Sequence, residues 1–403
     1  MKKWNSDSLA KGFSFALPTR ITFGWGCAAA LPEVLAAHGC KRPLIVTDPG
    51  IVAAGVLEKA LAALPKAQTA GVFDRVEANP KDRDVAEAAA AYRDAQADGI
   101  VAVGGGSPID CAKAAGVLIA QRADDIIAFE KTHETNDYEA KPLPPLFVMP
   151  TTAGTGSELT FSSVITNTKN KFKMTVKNEY TAPLAAVCDP ALTLSVPAAI
   201  TASTGMDALT HAIEAFSVTC AEPISDAAAL YSMELIAENL EAAVRDGGDA
   251  DARTAMLMGS MLGGIAFSHS DVASVHCIAE ALGGLYDLPH GVCNAVILPY
   301  MMEYNMEYCL ARYARVADAM RIPHGRDAHD IEARAAEAVA AVRALAKAVA
   351  LPRFTELGVR EADFQTIADM AARNHSTPSN PRPMRAEDYL AVLRIMSGTL
   401  PPS

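Results

Sequence analysis

At 403 residues the chain is long enough for two domains with substantial cores, and half of its residues are hydrophobic, as in folded enzymes rather than disordered chains. A formal charge of −12, with no cluster of Lys and Arg, argues against a nucleic-acid surface. No uninterrupted apolar run reaches the ~18 residues of a membrane helix. Lys2 and Lys3 have no apolar signal region behind them, and the eight cysteines from Cys27 to Cys309 form no CxxC pair, so a cytoplasmic protein with reduced thiols and no membrane contact is expected.

Short apolar runs alternate with helical patterns through the first half. Ile21 to Gly24 reads as a strand, followed by an Ala-rich helix from Ala28 to His38. The run PLIVTD is a buried strand ending on Asp48, with a helix from about Gly50 to Leu64 and a strand near Thr69 to Phe73 after it. Residues Asp82 to Ala97 are helical in composition, and GIVAVGGGSPID (Gly99 to Asp110) passes from strand through three glycines into helix. A strand then enters the small-residue loop PTTAGTGSE, Phe161 to Val176 reads as a hairpin turning near Thr168 to Lys171, and AAVCD is a last strand. This order predicts an α/β domain over 1–189 with a mostly parallel sheet, whose ligands sit at the carboxyl ends of the strands. From Pro197 onward the pattern is helical with no convincing strand, which predicts an all-α domain over 190–403. The acidic DGGDAD patch, Asp246 to Asp251, reads as a loop between helices. Gly283-Gly284 reads as a helix stop, with a new helix starting near Pro289.

Four stretches carry chemistry. In GGGSPID, Gly104, Gly105 and Gly106 let the backbone approach a phosphate, and Ser107 with the following helix N-terminus offers donors; a plain tight turn is the competing reading. In PTTAGTGSE, Thr151, Thr152 and Thr155 suit ribose or phosphate oxygens, while a capped helix entry explains the same residues. Asp48 at a strand end is placed to accept from ribose hydroxyls, which favours NAD over NADP. In TGMDALTHAIEAF, Asp207 and His211 lie four apart on one helix face, the spacing of an ordinary ion pair or of half a metal site. His276 and His290, in SVHCIAEALGGLYDLPHG, supply the other half: one carboxylate oxygen and three imidazole nitrogens suit a divalent first-row metal.

These four motifs, in this order and spacing, resemble the iron-containing (group III) alcohol dehydrogenase family across nearly the whole chain, with lactaldehyde reductase and 1,3-propanediol dehydrogenase near kin by motif. The resemblance implies an N-terminal dinucleotide domain and a helical metal domain. It implies NAD(H) held by Asp48, Asn79, Gly105, Gly106, Ser107, Thr151, Thr152, Thr155, Val164 and Lys173. It places the metal on Asp207, His211, His276 and His290, and puts Phe267 and Ser376 at the substrate pocket. Fe(II) is the implied metal, with Zn(II) or Mn(II) also suited to the ligands, and the implied assembly is a homodimer or higher homo-oligomer. The activity implied is hydride transfer between nicotinamide and a small alcohol or aldehyde. Reduction of an acidic substrate (a hydroxyacid, sulfo- or phosphonoaldehyde) is the alternative, with His269, Arg373, His375 and Arg382 as candidate positive groups, and a lyase of the dehydroquinate synthase type is a third reading.

One departure stands out. Where most relatives resemble VHxxAH, this chain has Glu280, and AFSHSDVAS (Ala266 to Ser274) replaces the asparagine pair of many relatives. Glu280 and His269 are therefore candidates for a proton relay or a substrate contact. For Glu280, a hydrogen-bonded buried carboxylate and an extra metal ligand are the other readings.

Overall fold

The computed structural model describes residues 12–131, 138–324 and 330–400; the reading of the N-terminal stretch bears on residues 1–11, outside the described residues. The chain forms two compact units. One comprises Leu17–Pro197 and Gly247–Leu257; the other comprises Ala198–Asp246, the residues from Met258 on, and the described residues before Leu17.

The first unit is built on six strands: β1 (Arg20–Phe23), β2 (Pro43–Val46), β3 (Gly71–Phe73), β4 (Gly99–Gly104), β5 (Leu146–Pro150) and, after the hairpin β6 (Ser162–Asn167) and β7 (Phe172–Lys177), β8 (Ala185–Cys188). The order across the sheet is β1-β8-β5-β4-β2-β3, every pairing is parallel, and β6 pairs with β7 antiparallel in a sheet of their own. Strands β2, β4, β5 and β8 are buried along their whole length, as continuous apolar runs covered on both faces should be. After β2 the chain steps outward to β3 and then returns to lay β4 on the other side of β2. The order therefore reverses at β2, and the crevice beyond the carboxyl ends of β2 and β4 is the switch point where such sheets take ligands. Asp48 and the three glycines stand there.

Helices α1 (Leu31–Ala37), α2 (Pro49–Ala53), α3 (Val56–Ala60), α4 (Asp82–Asp94) and α5 (Gly106–Gln121) join the strands. Two expected helices are subdivided. The Ala-rich one opens with a 3-10 turn over Cys27–Ala30 before α1, because Pro32 lacks the N–H an uninterrupted helix would need. The stretch from Gly50 is broken into α2 and α3 at Gly55, whose φ of 67° lies in the left-handed region.

The second unit is helical among its described residues: α6 (Ala198–Ser217), α7 (Pro223–Arg245), α8 (Ala250–His269, which begins in the first unit), α9 (Ser274–Tyr286), α10 (His290–Ala319), α11 (Ile331–Ala348), α12 (Phe364–Ala372) and α13 (Ala386–Ser397). Helix α9 does not stop at Gly283-Gly284. It is buried on every side from Ser274 to Gly283, so packing carries it across the glycines to Asp287, which ends it in the left-handed conformation (φ 55°). Helix α10 does start where expected, with Pro289 as N-cap and His290 as first residue. Gly291 lets that start press on α6: a Cβ there would lie 2.5 Å from the Ser203 carbonyl oxygen and 3.3 Å from Asp207 Cβ. No described helix is long and apolar enough to cross a membrane.

Candidate active site

In the helical unit, α6 carries Asp207 and His211, α9 carries His276 and the first turn of α10 carries His290. One ligand atom from each lies within 4.8 Å of the others. Three of the four side chains are buried and His290 is partly open. His211 is sandwiched, its ring stacked on Phe267 at 4.3 Å and on His276 at 4.6 Å between centroids. Gly263 of α8 allows this approach, since a Cβ there would sit 3.3 Å from the Ala208 carbonyl and 3.7 Å from His211 Cβ.

The group behind these ligands is Glu214, one turn beyond His211 on α6. Its carboxylate accepts the backbone N–H groups of Ala273 (3.0 Å) and Val275 (2.8 Å) and faces His276 Nδ1 at 2.5 Å. Nδ1 is thereby held as the donor, and Nε2 keeps the lone pair a metal needs. Burial disfavours a charged His276, but the Glu214 carboxylate, helped by Asp207 and Glu280, outweighs it and raises the imidazole's proton affinity. Such an acidic surrounding draws a cation. Glu214 was absent from the sequence-derived site; its one signal was a carboxylate three residues after His211 in an apolar helix.

The remaining candidates divide. Glu280, 5% exposed, lies one turn after His276 and accepts from Asn374 Nδ2 at 2.5 Å. It is a buried hydrogen-bonded carboxylate, with the Asn374 amide as one of its donors. His269 Nδ1 and Nε2 face the carbonyl oxygens of Ile265 (2.9 Å) and Ala16 (2.6 Å), and the ring stacks on Phe15. Both nitrogens are committed to backbone. Ser376, expected at the substrate pocket, is 0% exposed and gives its hydroxyl to Asp271 (2.9 Å), which also takes the Ser379 hydroxyl (2.6 Å). It ties a loop together. Phe267 alone of that pair lies against a metal-site residue.

In the α/β unit, the glycine and threonine motifs meet. Gly104 takes φ 154° and its missing Cβ makes room for Pro108. A Cβ on Gly105 would lie 3.0 Å from Thr152 Oγ1, and one on Gly106 would lie 2.7 Å from Thr155 Cγ2. The two loops form one cradle at the start of α5, whose N-terminal N–H groups and Ser107 follow directly on β4. The Thr151 hydroxyl is buried there with no hydrogen-bond partner among the described residues. Asp48 caps α2 by accepting from Ile51 N–H at 3.0 Å, and burial pushes its carboxyl up against the pull of that bond. Asn79, itself at φ 52°, accepts from Lys173 Nζ at 2.6 Å, so two residues 94 apart in sequence share one corner. Val164 N–H donates to Asp110 at 3.0 Å.

Beneath this cradle, and unforeseen in the sequence, lies Lys113. It is fully buried, and its ammonium, with three N–H donors, lies 2.6 to 3.1 Å from five oxygens that share them: Ser157 O and Oγ, Thr160 O and Oγ1, and Ser162 O. Asp110 pins the same loop through Ser157 Oγ at 2.5 Å. The Thr-rich loop is therefore anchored from below by charge-assisted bonds.

Comparison with known proteins agrees with this layout. Residues 18–190 match the family description "Iron-containing alcohol dehydrogenase" and residues 201–396 match "Fe-containing alcohol dehydrogenase family, C-terminal". The chain is 39% identical over 395 residues to the 1,3-propanediol dehydrogenase of Klebsiella pneumoniae, spanning 95% of this chain and 98% of that one. It is 34% identical over 390 residues to the NAD-dependent methanol dehydrogenase of Bacillus methanolicus, spanning 94% and 99%. Among solved structures, a 1,3-propanediol oxidoreductase superposes with a TM-score of 0.90 at 38% identity, covering 96% of this chain and all of that one.

Proposed function

Since the chain belongs to the iron-containing alcohol dehydrogenase family, we propose that it interconverts a small primary alcohol and its aldehyde, with NAD(H) as hydride carrier and Fe(II) held by Asp207, His211, His276 and His290. The observation that carries this reading is the convergence of one carboxylate oxygen and three imidazole nitrogens within 4.8 Å, buried in the helical unit. Four N/O donors with Glu214 behind His276 fit a divalent first-row ion, and Zn(II) or Mn(II) would also be accepted. When bound, the ion supplies Lewis acidity to the substrate oxygen while the nicotinamide gives or takes hydride.

The protein's own part is positional. Asp207 and the histidines hold the ion, and Glu214 fixes the His276 tautomer. Phe267 covers the outer face of His211. The Gly105–Gly106–Ser107 turn and the α5 N-terminus receive the pyrophosphate, and Thr151, Thr152 and Thr155 offer hydroxyls beside it. The partnerless Thr151 hydroxyl supports a ligand bond at that point. Asp48 offers its carboxylate to a ribose hydroxyl, with Asn79, Val164 and Lys173 completing the pocket. Glu280 contributes a fixed negative charge near His276.

That charge, together with Asp207 and Glu214, favours neutral over acidic substrates. Two of the basic residues that would serve the acidic alternative are occupied. Arg382 stacks over Tyr304 at 4.0 Å and donates to its carbonyl oxygen, and His269 is bound to backbone. Membership of this family argues against the dehydroquinate-synthase-type reading. Assembly of two or more copies, in the cytoplasm, belongs to the same proposal; β1 is an edge strand, with Leu17 exposed just before it. The test is an NADH-oxidation screen of neutral and anionic small aldehydes with protein loaded with iron, zinc or manganese. Turnover of neutral aldehydes only when metal is bound is expected. Equal turnover by metal-free protein would defeat the proposal.

A further inference from the structure

Asn294 lies on α10 one turn after His290, on the same face, and is 0% exposed. Its amide nitrogen is 2.6 Å from Asp207 Oδ1, 3.0 Å from His276 Nε2 and 3.1 Å from His290 Nε2. It thus meets a ligand atom from each of α6, α9 and α10. The amide oxygen, in contrast, is buried with no hydrogen-bond partner among the described residues. Turning the amide over would point its oxygen at the Asp207 carboxylate and at the His276 Nε2 that Glu214 keeps unprotonated, so the nitrogen belongs where it stands.

We propose that Asn294 is a positioning residue of the metal centre, holding Asp207, His276 and His290 converged so that a divalent ion meets a preformed site. Lone-pair accounting gives the two halves of this role. A neutral imidazole protonated at Nδ1 has one lone pair on Nε2, so His276 and His290 would offer an ion the same atoms that face the amide. A carboxylate oxygen has more than one acceptor site, so Asp207 Oδ1 keeps its short bond to Asn294 while serving the ion. The amide holds the three ligand atoms together and would keep Asp207 oriented toward a bound ion. Its removal takes away the one group that meets all three ligand atoms, so the side chains spread apart and the ion must draw them together again.

The inference rests on the metal assignment above, and one experiment separates the two. The parent, Asn294→Leu (similar volume, no donor) and Asn294→Ser (a donor too short to reach all three atoms) are stripped of metal and checked for unchanged far-UV circular dichroism. They are then titrated with Co(II) and Zn(II) against a chromophoric chelator, following the Co(II) visible spectrum. Loss of an orienting partner of this kind costs roughly 10- to 100-fold in metal affinity. That loss, with an altered Co(II) spectrum in the folded variants, is expected. Binding within twofold of the parent, or tighter binding, in either folded variant would overturn the role of Asn294. Failure of the parent to bind either ion would instead overturn the metal assignment itself.

Discussion

Glu214 and His276 face each other at 2.5 Å across two helices, and the same carboxylate that holds the imidazole also accepts the backbone N–H groups of Ala273 and Val275 at the start of α9. The position of a metal ligand and the start of the helix that carries it are therefore set by one buried group. A helix start is rich in unpaired N–H donors, so an anion there is stabilised by the helix as well as by the imidazole.

Glu214→Gln should weaken divalent-metal binding by roughly 10- to 100-fold. The amide has one acceptor oxygen for three donors, and its N–H2 end faces other N–H groups. Calorimetric titration of the stripped variant with Zn(II) measures it. An unchanged affinity would mean that packing, with His211 stacked against it, orients His276 unaided.

At the cradle, Gly106→Ala places a methyl 2.7 Å from Thr155 Cγ2 and 3.2 Å from its Cβ and Oγ1. Overpacking of this kind costs roughly 1–3 kcal/mol, and here it displaces the loop proposed to hold the nucleotide. The KM for NADH should rise about tenfold, with metal affinity left at the parent value. Steady-state kinetics and metal analysis of the same preparation separate the two effects; a loss of metal as well would assign the damage to general unfolding.

Glu280→Gln keeps an acceptor oxygen for the Asn374 amide and removes one buried negative charge. A unit charge several ångströms from a bound anion is worth a few kcal/mol at an effective dielectric near 20. The kcat/KM ratio of anionic to neutral aldehydes should therefore rise about tenfold or more. The pH–rate profile of the same variant tests the relay: an unchanged profile with normal turnover removes Glu280 from proton transfer. His269→Gln should leave that profile alone, because both ring nitrogens of His269 already serve carbonyl oxygens.

The legible parts of this molecule are those written in local pattern. Runs such as PLIV and GIVAVG are buried on both faces and so carry no polar alternation to misread, and Pro289 marks the start of α10 by a rule that acts within one residue. The ligand quartet could be named because Asp207 and His211 share a face and the two histidines stand in an apolar stretch that needs partners. What was hidden depends on groups far apart in sequence. Glu214 meets His276 across 62 residues, Lys113 meets the Thr-rich loop across 44 to 49, and Asn294 meets Asp207 across 87. No periodicity marks such pairs. The partners of Ser376 and His269 are just as distant, Asp271 at 105 residues and Ala16 at 253, and neither contact has a sequence signal. At Gly283-Gly284 a sound local rule lost to burial.

Glu158 carries the last prediction. It is buried next to Lys113, its Oε1 has no hydrogen-bond partner among the described residues, and burial pushes its carboxyl up to about 7, with Lys113 and a backbone N–H pulling the other way. In the unfolded chain the same group titrates near 4.5. Between these values the folded protein binds more protons than the unfolded one, so this residue's contribution to stability is full below about pH 4.5 and is lost as pH rises to about 7. The full loss is on the order of 3 kcal/mol. Lys113, lowered by burial to about 8, acts in the opposite sense: the unfolded chain binds the extra proton from there up to 10.5, and stability recovers with pH. The pair alone predicts a stability minimum between about pH 7 and 8. Glu158→Gln should flatten the fall between pH 5 and 7 and stabilise the protein at pH 7.5, which urea midpoints of metal-free protein across that range will measure. A variant that keeps the parent's slope would show that Glu158 is charged throughout and stabilised by Lys113 more strongly than burial opposes it.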